Sequence, residues 1–300
     1  MKRIQRSIRV AVAVCVVPIA AMTLLMSPVS SVGALDWGSR SLVHSQQLGT
    51  SMNPVGLSLS SRLALSVPLY RNLEGVLWDP AKVEVGVINR ITPAFDDVGA
   101  DIYLEPIAIA DVRARFVVRQ MFDGLGNGYT PLDGPDVNYG PSADLDKVTR
   151  TGTMVEIQPR FKIAAGPFVA FDQMTFRRVE MTEESGESGW FYEPLGDVAQ
   201  KNGEWQIGNS AAVLWETPLG KGARQVLVGV DYSLMSVAMD NPEWQRVSLM
   251  GAWNAPDLFG ETGPAFSLIG IVGGYLEHRY YDLADGEPYL AMQAGLTWKY

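Results

Sequence analysis

Three arginines at alternate positions, Arg113, Arg115 and Arg119, are the densest run of chemically capable side chains in this chain. Residues two apart in a β-strand share a face, so a strand here would point all three guanidinium groups the same way. Arg62, Arg90, Arg160 and Lys162 fall on the polar faces of other alternating segments, and so do Glu84, Glu105, Asp111, Glu156, Asp231 and Glu277. A one-signed basic row could steer anions along a narrow passage. With carboxylates in similar number, the same residues could instead pair with one another and fill a water-poor interior. The near balance of signs favours the paired, narrowly wet interior.

Other chemistry is sparse. Only two histidines occur, His44 and His278, and the one cysteine is Cys15. A general base needs a hydroxyl or water within hydrogen-bond reach. His278 stands in Glu277-His278-Arg279-Tyr280-Tyr281-Asp282, so its nearby acids are Glu277 and Asp282. No metal-spaced histidine cluster is present. The glycine-rich run Asp123–Gly128 reads as a turn, because no helical pattern follows it to make a phosphate cradle. No cofactor and no metal site are expected.

The N-terminus carries Lys2, Arg3, Arg6 and Arg9, then an uncharged apolar run from Val10 to Met26 and small residues through Val32-Gly33-Ala34. This is the pattern of an export signal ending at residue 34; the competing reading is a retained anchor, for which the run is short. Without residues 1–34, 20 Lys and Arg face 33 Asp and Glu, a formal charge of −13. So acidic a chain is unsuited to nucleic acid. The expected organisation is a signal peptide at 1–34, a periplasmic segment at 35–54 and a β-barrel at 55–300.

The elements that must position the charged rows are strands of period two. Segments 55–69, 81–91, 151–165, 204–216, 224–239, 245–254 and 264–280 alternate apolar with polar or small residues. Segment 168–181 follows a Gly166-Pro167 turn, with its phase blurred by adjacent Arg177 and Arg178. Segment 100–122 keeps one phase throughout, with Ile102, Ala114, Phe116 and Val118 opposite the arginine row. Trp205 and Trp215 lie on one face, about one tilted membrane crossing apart. Trp253 closes another such segment. The fold class read from this is all-β: a closed antiparallel transmembrane barrel of meander topology with about ten strands. It becomes twelve if 100–122 breaks near Ala110-Asp111 and 37–48 adds a strand. A soluble sandwich with the same alternation is the competing reading.

The last twelve residues alternate strictly, with Leu290, Met292, Leu296, Trp298 and Tyr300 on one face and Gln293, Gly295, Thr297 and Lys299 on the other. The spacing of Gln293, Gly295, Trp298 and Tyr300 resembles the C-terminal signature of bacterial outer-membrane β-barrel proteins. That resemblance implies outer-membrane lipid and lipopolysaccharide as surroundings, and recognition of the final strand by the barrel-assembly machinery. With ten strands, connections 70–80, 123–150, 182–203, 240–244 and 281–288 face outward; 92–99, 166–167, 217–223 and 255–263 face the periplasm.

Two outer loops are acidic, one with Asp133, Asp136, Asp144 and Asp146, the other with Glu183, Glu184, Glu187, Glu193 and Asp197. They read as solvated loops, since their spacing fits no calcium-loop template. Trp190, Phe191 and Tyr192 form either a contact patch or a cover over the barrel mouth. Known outer-membrane enzymes use a rim histidine with Ser or Asp close by. Here His278 is followed two positions on by Tyr280, so the His-x-Ser pattern of the deacylase and phospholipase is absent, and His44 lies in the expected leader. The expectation is therefore a narrow passive channel or a structural or surface-interaction barrel, not an enzyme. The alternative is a hydrolase or acyl-chain enzyme with a rim site around His278 and Asp282 or Glu277.

Overall fold

Alternating segments leave rows of unpaired backbone groups at both sheet edges, and closure removes them. In the computed structural model, residues 39–52, 56–70, 80–123, 128–135, 137, 145–183, 188–219, 224–237, 242–260, 262–278 and 287–300 are described. In chain order the strands are β1 (Ser41–Met52), β2 (Gly56–Pro68), β3 (Lys82–Ile91), β4 (Phe95–Ile107), β5 (Ala110–Met121) and β6 (Thr130–Leu132). Next come β7 (Arg150–Ala165), β8 (Phe168–Met181), β9 (Trp190–Glu193), β10 (Val198–Lys201) and β11 (Trp205–Pro218). The last four are β12 (Gln225–Val237), β13 (Pro242–Ala255), β14 (Ala265–His278) and β15 (Pro288–Lys299). Twelve form a closed antiparallel barrel, and β6, β9 and β10 form a separate three-stranded sheet in the order β10-β9-β6. Closure is made by β1 against β15, from Val43 opposite Lys299 to Met52 opposite Leu290. Leu42 and Tyr300 exchange backbone hydrogen bonds of 2.9 and 2.8 Å at the terminal end of the barrel, where β1 starts and β15 finishes.

The barrel is inside-out. Val87 and Leu249 are 60% exposed on the outer surface, while Asp97 and Arg119 are 0% exposed within. A soluble barrel would reverse this, burying aliphatic rows and wetting its charges. An outward aliphatic band with polar side chains inside is the construction of a transmembrane barrel. Trp205 and Trp215 both stand outward, Trp215 edge-on to Phe168 at 5.0 Å. Trp253 packs edge-on against Phe266 at 5.5 Å, and Trp298 stacks on His44 at 5.1 Å. Tyr300 is exposed beside them at the terminal rim.

The count is twelve, the alternative to ten, for two local reasons. Within 100–122 the chain turns at Ala108-Ile109, and a register shift between Leu104 and Ile107 puts Leu104 opposite Val112. That shift restores the even-outward phase across the hairpin, so the apolar rhythm runs on through a reversal of direction. The second reason is β1. Residues 35–54 were expected to precede the barrel, but 41–52 form one of its staves, with His44 on the outer surface rather than in a leader. Its outward row holds His44, Gln46 and Thr50 among Leu42, Leu48 and Met52, a weak apolar signal. Both extra turns reverse the sides of two connections. The link between β2 and β3 lies at the terminal end, and the short link between β3 and β4 lies at the opposite, outer end. The long connections at 122–149 and 182–204 remain outer. Residues 1–34 lie outside the described residues.

Neighbouring strands run so close at some points that only glycine fits. A Cβ added at Gly229 would stand 1.9 Å from the Val213 carbonyl oxygen and 2.7 Å from the Leu214 Cα. Those are backbone atoms of the paired strand β11, so β12 itself would have to move. Gly229→Val is expected to destabilise the barrel by about 1–3 kcal/mol. The readout is a lower temperature for loss of the heat-modifiable folded band in detergent.

Candidate functional site: the lumen and its outer plug

Charges facing a barrel interior must find partners, because burying an unpaired charge is costly. At the inner end, Arg160 meets Asp111 at 2.9 Å, and Lys162 lies 2.6 Å from Glu105 and 3.3 Å from Asp111. Tyr103 donates its hydroxyl to Glu105 at 3.1 Å. At mid-height Arg62 bridges Glu84 at 2.6 Å and Asp101 at 2.8 Å. Arg113 lies 3.6 Å from Asp101 with its guanidinium over the Tyr103 ring. Higher up, Glu156 joins Arg115 and Arg177, each at 2.7 Å.

The uppermost arginine anchors the ladder. Arg119 makes a two-pronged contact with Asp97, Nε to Oδ1 at 2.7 Å and Nη2 to Oδ2 at 2.9 Å. Its Nη1 donates to Glu193, and its guanidinium lies over the Phe95 ring at 4.2 Å. Arg90 approaches Asp97 at 3.6 Å. Of the thirteen charged residues placed on the polar faces, twelve face inward and Glu277 turns outward; eleven of the twelve gather on the wall formed by β2 to β8. Asp231 stands apart on β12, accepting from Ser210 at 2.6 Å and Ser233 at 2.7 Å. Around it, the β11–β15 wall carries many small residues, among them Ala212, Gly229, Ser248 and Gly295.

Glu193 does not belong to the barrel wall. It ends β9, one strand of the small sheet drawn from the two long outer connections, and that sheet plugs the mouth. Phe191 is fully buried against Val117, Met121, Met154 and Met181, and stacks with Tyr129 at 5.1 Å. On the opposite wall Val198 packs with Met235, Val237, Trp244 and Tyr275. The tip of the hairpin is held from both sides. The Gly196 N–H donates to Glu193 at 2.6 Å, and the Gly196 carbonyl accepts from Trp244 Nε1 at 2.8 Å. Asp197, at φ 55°, accepts from the Tyr192 hydroxyl at 2.8 Å and lies 3.3 Å from His278 Nε2. Gln200 is hydrogen-bonded to Gln206 of β11.

Two expectations are corrected here. Glu193 and Asp197 were read as solvated loop acids, but both are buried, because the hairpin that carries them folds into the barrel. Burial would raise the Glu193 carboxyl, yet Arg119 and Arg177 outweigh it and hold that group below the usual carboxylate range. His278 was placed at the rim with Asp282 or Glu277 as its nearby acids, but its side chain is 1% exposed and tied to the plug through Asp197. Glu277 turns to the outer surface, accepting from Gln245 at 2.9 Å, so it does not join His278. Glu183 is an exposed loop acid that accepts from Asn202 at 2.7 Å. Asp136, Asp144, Glu184, Glu187, Tyr280, Tyr281 and Asp282 lie outside the described residues. Among the described residues no group of three His, Cys, Asp or Glu could hold a metal ion. The partners Asp97 and Asp101 were missed, although their odd numbering matches the arginine row; the expected turn at 92–99 and the unbroken 100–122 stave concealed them.

No protein-family model and no curated protein matches this chain. Among solved structures it is similar to the β domain of the Bordetella autotransporter BrkA, with 9% identity and a TM-score of 0.44 over 87% of this chain and 98% of that one. The translocator domain of the autotransporter NalP from Neisseria meningitidis gives 9% identity and 0.38, over 87% and 88%. The NanC porin gives 9% and 0.35, over 86% and 100%.

Removing one partner of a buried ion pair strands the other charge, typically at about 3–5 kcal/mol. Arg119 keeps Asp97 and Arg177 keeps Glu156, so Glu193→Gln strands neither and is expected to loosen the plug by about 1–3 kcal/mol, seen as faster amide exchange over 190–201. Because the native carboxyl titrates below its unfolded value, its contribution is full above the usual carboxylate range and is lost as pH falls through the native value. The difference between wild type and Glu193→Gln should therefore shrink on acidification; a constant difference would contradict this assignment.

Proposed function

We propose that this chain is a bacterial outer-membrane barrel serving as a narrow passive channel for small polar solutes, held closed at its outer mouth by the β6–β9–β10 sheet. The observation that carries this reading is the asymmetry of the lumen. About eight strands enclose just enough space for side chains to fill, and twelve enclose more. The ion-paired network takes up the β2–β8 side, while the inward rows of β11–β15 intersperse Leu214, Met250, Ile269 and Ile271 with small and hydroxylated residues such as Ser210, Ala212, Gly229, Ser248, Gly273 and Gly295. That arrangement favours an off-centre wet path beneath the plug over a solid interior. His278 supports the same reading, since its imidazole serves the plug and has no open face towards a substrate.

In planar bilayers the wild-type protein should show small, infrequent conductance steps. Replacing residues 190–201 with a short Gly-Ser link should raise open time or conductance several-fold. A plug-deleted barrel that stays heat-modifiable yet silent would refute the channel.

The same reading makes lipid and lipopolysaccharide the barrel's surroundings and the last strand the handle for the assembly machinery. Trp298→Ala combined with Tyr300→Ala should lower the folded fraction in the outer membrane, measured as loss of the heat-modifiable band. It should leave the lumen's conductance unchanged in the molecules that fold.

A further inference from the structure

The outward rows of the barrel are apolar along most of their length; β1 adds the neutral side chains His44, Gln46 and Thr50, and among the described residues one charged side chain interrupts the rows at mid-height. Among the described residues, Asp96, Arg178, Glu180 and Glu277 are charged and outward but stand at outer strand ends, where headgroups begin. Asp172 is different. On β8 the outward row runs Phe168, Ala170, Asp172, Met174, Phe176, Arg178. Asp172 lies opposite Ala211 of β11, and Ala211 sits between the outward tryptophans Trp205 and Trp215. A carboxylate is thus held on the lipid-facing surface midway between the two aromatic girdles, where an ionisable side chain is expensive and calls for a partner.

Its one neighbour of suitable chemistry is Asn209, also on the outward row of β11. Asn209 Nδ2 donates to Asp172 Oδ1 at 2.5 Å and lies 3.5 Å from the Gln173 carbonyl. A carboxamide has two N–H donors and a carboxylate up to four acceptor sites. The pair therefore holds acceptor capacity on Asp172 that this chain leaves facing lipid, together with a second Asn209 donor that is only loosely engaged. Lipid tails can supply nothing to either.

We propose that this patch, centred on Asp172 and Asn209, is the contact face for a second copy of the same chain. A two-fold axis through the pair would bring each Asn209 to the other copy's Asp172, closing a four-membered hydrogen-bonded ring. Such an isologous contact needs a surface complementary to itself, and a donor beside an acceptor is the simplest kind. Ala170 and Ala211 flank the pair, so two barrels could approach closely there, as small residues allow between membrane-spanning elements. The proposal rests on the barrel spanning a membrane, not on its conducting.

Cysteine cross-linking tests it directly in a Cys15→Ser background, where any introduced thiol is the only one. Ala211→Cys in native membranes should give a disulfide-linked homodimer under mild oxidation. Val87→Cys, exposed on β3 at the far side of the barrel, should not. Native mass spectrometry of the purified protein should show dimer. Asp172→Leu with Asn209→Leu should lower the dimer fraction about tenfold with the heat-modifiable band retained. An Ala211→Cys protein that stays monomeric, or that cross-links to a different polypeptide, overturns the proposal even if the double variant fails to fold. Equal cross-linking from Val87→Cys, or a double variant that dimerises as well as wild type, overturns it too.

Discussion

Everything in this molecule follows from the rule that a backbone N–H or C=O at membrane depth must have a partner. For strands the only general solution is a ring. Here that solution depends on the pairing of β1 with β15, which joins the first and last strands of the barrel along most of their length. The closing strand need not be strongly apolar. Its task is to present backbone groups to β2 on one side and β15 on the other, which explains how a stave with His44, Gln46 and Thr50 on its outer row can belong to the barrel.

Closure then dictates the chemistry of the interior. Because the outer surface is given to aliphatic side chains, every charge on the opposite row is confined to the lumen. Confinement forces pairing across neighbouring strands, Arg62 with Glu84 and Asp101, Arg119 with Asp97, and Arg115 and Arg177 with Glu156. These pairs add rigidity to one wall more than they add net stability, since desolvation offsets much of the attraction between buried charges. Their real structural reach comes from Arg119 and Arg177, which extend the ladder upward to Glu193. Through that carboxylate the charged wall takes hold of the loop-derived sheet, while Trp244, Tyr275 and His278 hold its tip from the other wall.

The same confinement makes outward polarity informative. A solvated carboxylate on the rim of a strand needs no explanation, whereas Asp172 between two girdles does. Its meaning is visible only once the facing of β8 is known, because adjacent Arg177 and Arg178 blur the alternation. In the fold Arg177 points to Glu156 in the lumen and Arg178 to Glu180 outside, so the phase is unambiguous.

Much of the architecture was legible in the chain by itself. Period-two alternation determined that the protein is all-β, which face of most strands meets lipid, and that Arg62, Arg90, Arg113, Arg115, Arg119, Arg160 and Lys162 share the inner surface with the carboxylates. Alternation is a local consequence of strand geometry, so it survives in one dimension. Strand number was less secure, because the register shift near Ile107 let the rhythm continue through a hairpin. Only the tertiary structure decided that Glu193 and Asp197 leave the solvent to become plug anchors, that His278 is buried against Asp197, and that Asp172 lies between the girdles. Those facts depend on where a long connection folds and which strands lie side by side. Contacts between residues 74 or 81 positions apart, Arg119 with Glu193 and Asp197 with His278, leave no periodic trace in sequence.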